Sequence, residues 1–217
     1  MSTDVLRLWQ LISPALPVGA FHYSQGLEQA VQRGWVADAD HAYDWIRGVL
    51  VNVVTWVDLP LVKRAYEAWR GSDEADLDRW NGISAACRET AELRAEEQQM
   101  GAALTRLAGS MDEPLPRQPL GFTAAFAVVA ANNNIPLRDA MTGFAWAWCE
   151  NQTLAAVKLV PLGHHMGQSI LRRLGGELGE MVALADACTD AQIGRTAPGF
   201  AMASGAHETQ YSRLFRS

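Results

Sequence analysis

Cysteine is scarce in this chain. Three occur, Cys87, Cys149 and Cys188, and an odd number set far apart excludes a disulfide framework. Reduced, buried thiols in a cytoplasmic protein are the expectation. Charge is also scarce, at 19% of residues against 49% apolar. That leaves less charged surface than usual, and apolar surface for a partner to cover. The net charge of −6 withholds the basic footprint that nucleic-acid binding needs. Neither a Gly-x-x-x-x-Gly-Lys-Ser/Thr loop nor a Gly-x-Gly-x-x-Gly turn occurs, so any nucleotide site belongs to another chain. MSTDVLRLWQ carries an acid and no basic stretch before an apolar run, so no signal peptide is read. Long apolar runs are missing too. The nearest, LGFTAAFAVVAA at 120–131, falls short of the roughly 20 residues of a membrane span and reads as a buried helix.

What is present is helical spacing almost throughout. Val5, Leu8, Leu11 and Ile12 share a face. Asp40 suits the cap of a long helix through AYDWIRGVLVNVVTW, with Trp45, Val49, Asn52 and Trp56 in one stripe. Val51, Val53 and Val54 suggest a strand, but alternation fails on both sides, which favours helix. Asp58 and Pro60 open a helix that Gly71 ends, and Ser72 or Asp73 opens the next, carrying Leu77, Trp80 and Ile83. Residues 88–109 form the most charged helix, with a seam of Leu93, Met100, Leu104 and Leu107 that Glu97 interrupts. Arg88 and Glu92 form a favourable i,i+4 pair on what reads as a solvated face. The proline-rich SMDEPLPRQP is a joint. Helices around 121–132 and 137–150 follow, then LAAVKLVPL, GHHMGQSILRRLGG and ELGEMVALADAC. The expectation is all-α, a single compact bundle of about ten helices with an irregular C-terminal tail. Residues 1–190 form the helical domain and 191–217 the tail. Tyr211, Leu214 and Phe215 are costly to leave in water, so the tail docks either on a partner or on its own domain.

SPALPVGAFHYSQGLE, at 13–28, holds a serine, a histidine and a glutamate close together. His22 and Ser24 do not make a nucleophile and base by adjacency, and Gly-x-Ser-x-Gly is absent; Ser24 reads as a helix cap. His164 and His165 are neighbours and diverge on a helix, and no Cys-x-x-Cys or His-x-x-x-His occurs, so no single-chain metal site is expected. Lys158, in the apolar LAAVKLVPL, either reaches the surface or meets a carboxylate.

Taken in order, SPALPVGAFHYSQGLE with GWV, VDLPL, CRETAELRAEE, VKLVPLG with GQSIL, and HETQYSRLFRS resemble the urease accessory protein UreF family. The likeness runs from near residue 8 to residue 217. It implies a dimeric, cytoplasmic, all-helical protein without enzymatic activity and with no stably bound cofactor. Such a protein bridges the scaffold UreD (UreH in some organisms) and the GTPase UreG, and nickel passes in transit to apo-urease. It implies no nucleic-acid or membrane partner. On this resemblance His207, Glu208, Tyr211, Arg213 and Phe215 are expected at the UreD contact. Tyr23, Glu28, Arg88, Glu89 and Lys158 are expected on a UreG-facing or gating surface. The chain departs from the family at His22, often a serine, and at His164, usually a glutamine. A single-chain nickel carrier and a Ser/His hydrolase are the rival readings from other classes.

Overall fold

In a computed structural model residues 3–217 are described. Among them are ten α-helices and no strand: α1 Thr3–Leu11, α2 Leu27–Gln32, α3 Ala39–Val49, α4 Asp58–Arg70, α5 Glu74–Ala86, α6 Ala91–Ser110, α7 Phe122–Asn132, α8 Leu137–Leu159, α9 His164–Asp186 and α10 Pro198–His207. α7 is the centre. Every residue from Thr123 to Ala131 is buried, because α4, α5, α6, α8 and α1 all pack on it. Each large side chain buried there contributes about 1.5–3 kcal/mol. Its twelve-residue apolar run therefore meets protein on all sides. No single described helix is long and apolar enough to cross a membrane.

Local chemistry explains most helix ends. Asp73 accepts from the Asp76 N–H and opens α5, while Gly71 closes α4. The cap of α3 is Asp38, which accepts from the His41 N–H, and not the expected Asp40. After Val49 the valine run stays helical but widens into a π-helical segment, Leu50–Val54. Crowding by β-branched side chains accompanies the change, and the Thr55 hydroxyl also takes the Leu50 carbonyl.

Two expected breaks are absent. α8 runs on through LAAVKL, and α9 passes unbroken through Gly175 and Gly176. A side-chain carbon at Gly175 would stand 3.1 Å from the Trp146 ring, so this glycine is a contact point between α8 and α9. The stretch after Thr189 also holds α10, packed on α2, before an irregular run to Ser217.

Gly101 on α6 is tighter still: a β-carbon would lie 2.3 Å from the Leu120 carbonyl oxygen. Alanine normally improves a helix interior by roughly 1 kcal/mol. Here Gly101→Ala should instead destabilise by about 1–3 kcal/mol, read as a lowered urea midpoint. An unchanged or raised midpoint would refute the close α6–α7 approach.

Candidate functional site

The stretch 13–28 is a turn that leads into α2. Pro14 and Pro17 restrict the backbone, Gly19 adopts φ 81, and Gln25 and Gly26 are consecutive left-handed residues at φ 53 and 81. Such a conformation is uncommon outside glycine. Gln25 is held in it by both ends of its amide: Nε2 donates to Glu96 (2.7 Å) and Oε1 accepts from Trp148 Nε1 (2.8 Å). A β-carbon at Gly26 would stand 2.8 Å from the Ser204 backbone nitrogen, so α2 starts hard against α10. The helix cap is Gly26 and not the expected Ser24; the Ser24 hydroxyl, two residues before it, accepts from the Glu28 N–H (3.3 Å). It also donates to the Ser217 carbonyl (2.6 Å).

That second bond belongs to a strap. Beyond α10 the chain turns back across the stretch 13–28. The ring of His207, wholly buried, lies between two carboxylates, Nδ1 2.7 Å from Glu92 and Nε2 3.4 Å from Glu28. Glu92 also accepts from Arg213 Nη1 (2.6 Å). Glu28 accepts from the Leu214 N–H (2.7 Å), the Phe215 N–H (2.8 Å) and Gln210 Nε2 (3.3 Å). The Arg216 N–H donates to the His22 carbonyl, the Ser24 N–H to Ser217, and the Ser217 hydroxyl to Glu96. Glu208 accepts from the Ala91 N–H (2.7 Å), placing a negative charge at the start of α6.

The expected site residues divide accordingly. The structure brings Tyr23, Glu28, His207, Glu208, Arg213 and Phe215 into one assembly, and Lys158 Nζ stands 5.7 Å over the Phe215 ring. Lys158 is exposed and has no carboxylate partner among the described residues. Tyr23, Glu28, His207 and Phe215 are buried, whereas Tyr211 is fully exposed and Leu214 is 66% exposed. Of the two open readings of the tail, packing on its own domain is the one realised here. Removing residues 205–217 would therefore strip core groups as well as any contact surface.

Arg88 and Glu89 lie elsewhere. Residue 88 follows the end of α5, outside any helix, so the expected i,i+4 pair with Glu92 does not form. Arg88 Nη2 donates instead to Asp58 (2.6 Å), Glu97 (2.9 Å) and Thr123 (3.0 Å), joining α4, α6 and α7. Glu97 in turn accepts from the Thr123 N–H and the Ser84 hydroxyl. Burial works against the charge of Arg88, but Asp58 and then Glu97 outweigh it and raise its pKa above the usual value. Glu89 is exposed and takes the Thr196 hydroxyl. The supposed solvated face of α6 thus carries two buried carboxylates, Glu96 and Glu97. Burial pushes Glu96 from its ordinary 4.5 up to about 7. A cavity of about 140 Å³ lies between, with Val53, Phe126 and Phe144 on its apolar walls and Asp58, Arg88 and Glu96 on its polar side.

Asp58, Glu92, Glu96 and Ser217 were missed from sequence. One signal was legible: Glu97 interrupting an apolar seam. His22 stacks on Phe21 and makes no hydrogen bond to Ser24, which is itself wholly buried; a Ser/His dyad is not formed. Among the described residues no group of three or more His, Cys, Asp or Glu is arranged to hold a metal ion.

Comparison with known proteins gives this arrangement a family. A family model described as UreF matches residues 36–175. The urease accessory protein UreF of Alkalilimnicola ehrlichii is 45% identical over 97% of this chain and 95% of its own length. The chain belongs to the UreF family. Its likeness to other UreF proteins is similar in extent: 46% for that of Chromohalobacter salexigens, over 97% of this chain and 93% of the relative, and 45% for that of Pseudomonas putida over both full lengths. The full-length matches take in the strap as well as the helical body of this UreF-family chain.

Two measurements test the site's electrostatics. Arg88→Met leaves Asp58 and Glu97 buried without a cation, a loss of about 3–5 kcal/mol. At about 2–4 °C per kcal/mol for this size, the melting temperature should fall by roughly 10 °C. A surface role alone would leave melting unchanged. For Glu96 the folded pKa is raised, so its stabilising share is complete below 4.5 and is lost as pH rises through about 7. Glu96→Gln should remove up to about 1.4 kcal/mol per pH unit of slope across that window. Equal pH slopes in the two proteins would show that Glu96 does not carry it.

Proposed function

We propose that this chain is a non-enzymatic urease maturation factor. It bridges the scaffold UreD and the GTPase UreG and regulates GTP-dependent delivery of nickel into apo-urease. It works in the cytoplasm as a homodimer, and nickel is cargo of the assembled complex. The observation that carries this reading is likeness over nearly the whole chain to proteins named urease accessory protein UreF.

The geometry supports a division of labour. The strap presents Tyr211 and Leu214 outward, with Glu208 and Arg213 beside them, and that is the proposed UreD contact. An exposed aromatic and an exposed aliphatic side chain on an immobilised segment are suited to anchor a protein interface. Lys158 and Glu89, both exposed, are the proposed UreG-facing groups. Arg88 acts from inside, next to Glu89, whereas Tyr23 and Glu28 act from inside beneath the strap.

Co-expression with UreD and UreG followed by size-exclusion chromatography tests the bridge: the three chains should elute together, and separate elution would overturn it. Lys158→Ala should keep stability within about 0.5 kcal/mol while lowering the nickel content of co-expressed urease. A parallel loss of melting temperature would instead mark Lys158 as structural.

A further inference from the structure

Glu28 stands out among the buried groups because its carboxylate serves the tail and not its own helix. It is buried, and its two oxygens accept from the successive N–H groups of Leu214 and Phe215. Leu214 and Phe215 lie in a bend, where two successive N–H groups converge on one carboxylate instead of pointing to opposite sides as in a strand. Clamping both N–H groups therefore fixes which side chain faces in. Phe215 is turned into the core and Leu214 outward. Gln210 Nε2 on the same carboxylate sets the start of the turn that carries Tyr211.

We infer that Glu28 is a positioning residue that sets which tail side chains are offered to the partner, through its clamp on the Leu214 and Phe215 N–H groups. The inference rests on the tail contact proposed above. It moves Glu28 from a partner-facing role to one beneath the surface. The chemistry requires a carboxylate. An amide of the same size has one oxygen, and its NH2 would confront a backbone N–H where an acceptor is needed. Bonds to an ionised acceptor are also the stronger kind, and a buried N–H left without one is penalised.

The test uses the full chain co-expressed with UreD. Glu28→Gln should speed amide exchange at Leu214 and Phe215 by at least about tenfold while α6 and α7 keep their protection, and should weaken retention of UreD. Glu28→Asp, which keeps two acceptor oxygens on a shorter arm, should recover part of both, and it serves as the measured variant if the glutamine form does not fold. In a Tyr211→Ala/Leu214→Ala background, Glu28→Gln should cause no further loss of UreD, because it acts only through those side chains. Native exchange rates in Glu28→Gln would overturn the clamp. A loosened strap with full UreD retention would overturn the positioning role. Full retention by Tyr211→Ala/Leu214→Ala would overturn the tail contact itself, leaving the exchange result to be judged on its own.

Discussion

A carboxylate taken out of water has to be met by donors, and on α6 two buried carboxylates, Glu96 and Glu97, and the half-buried Glu92 fall within six residues. Glu92, Glu96 and Glu97 cannot be served by their own helix, whose N–H groups are already used. Each draws on a distant segment: Glu97 on Arg88, Ser84 and the start of α7, Glu96 on Gln25 and Ser217, Glu92 on His207 and Arg213. Replacing such a donor is expensive, since a buried charge without its partner loses several times what the pair contributes. The packing of α7 on α6, the tie from α6 through Arg88 to α4, and the course of the strap all serve to satisfy these groups.

The strap inherits its order from the same requirement. An irregular segment at a chain end is ordinarily mobile, but this one carries few apolar anchors beyond Phe215. It is held by backbone N–H groups on Glu28, a hydroxyl on Glu96 and a guanidinium on Glu92. A segment already ordered loses less conformational freedom when a partner binds. On the proposed tail contact, the charged interior bears on recognition at the surface, although none of its carboxylates needs to touch the partner.

Much of the fold was legible because apolar residues recur with the helical period, and periodicity is a local property. Asp73 and Gly71 acted as the end signals they resemble. Gly175 did not, because a glycine that admits a neighbouring tryptophan looks the same in sequence as one that ends a helix. The site was less legible for a related reason. The Phe215 N–H reaches a carboxylate 187 positions earlier, and no spacing rule spans that distance. Tyr211, Leu214 and Phe215 announced themselves as costly in water, yet only the clamp at Glu28 decides which of them turns inward. Arg88 is the converse case: its i,i+4 spacing to Glu92 carries no contact, because residue 88 lies between α5 and α6 and not on a helix.

The two buried clusters also differ in what they control. Arg88 with Asp58 and Glu97 joins three central helices and touches the cavity, so its disturbance is felt as global stability. Glu28 with His207 and the strap joins the ends of the chain at the periphery, where the bonds can open while the central helices stay packed. Local opening with the body intact is what a surface must be able to do if a partner is to reshape it, and the chain concentrates its expected partner residues there. The central cluster, made of the same residue types at similar distances, lacks that freedom because α7 is buried on all sides. Which helices a cluster joins, more than its burial, separates the two: His207 is wholly buried, yet it is Arg88 that ties α4, α6 and α7 together.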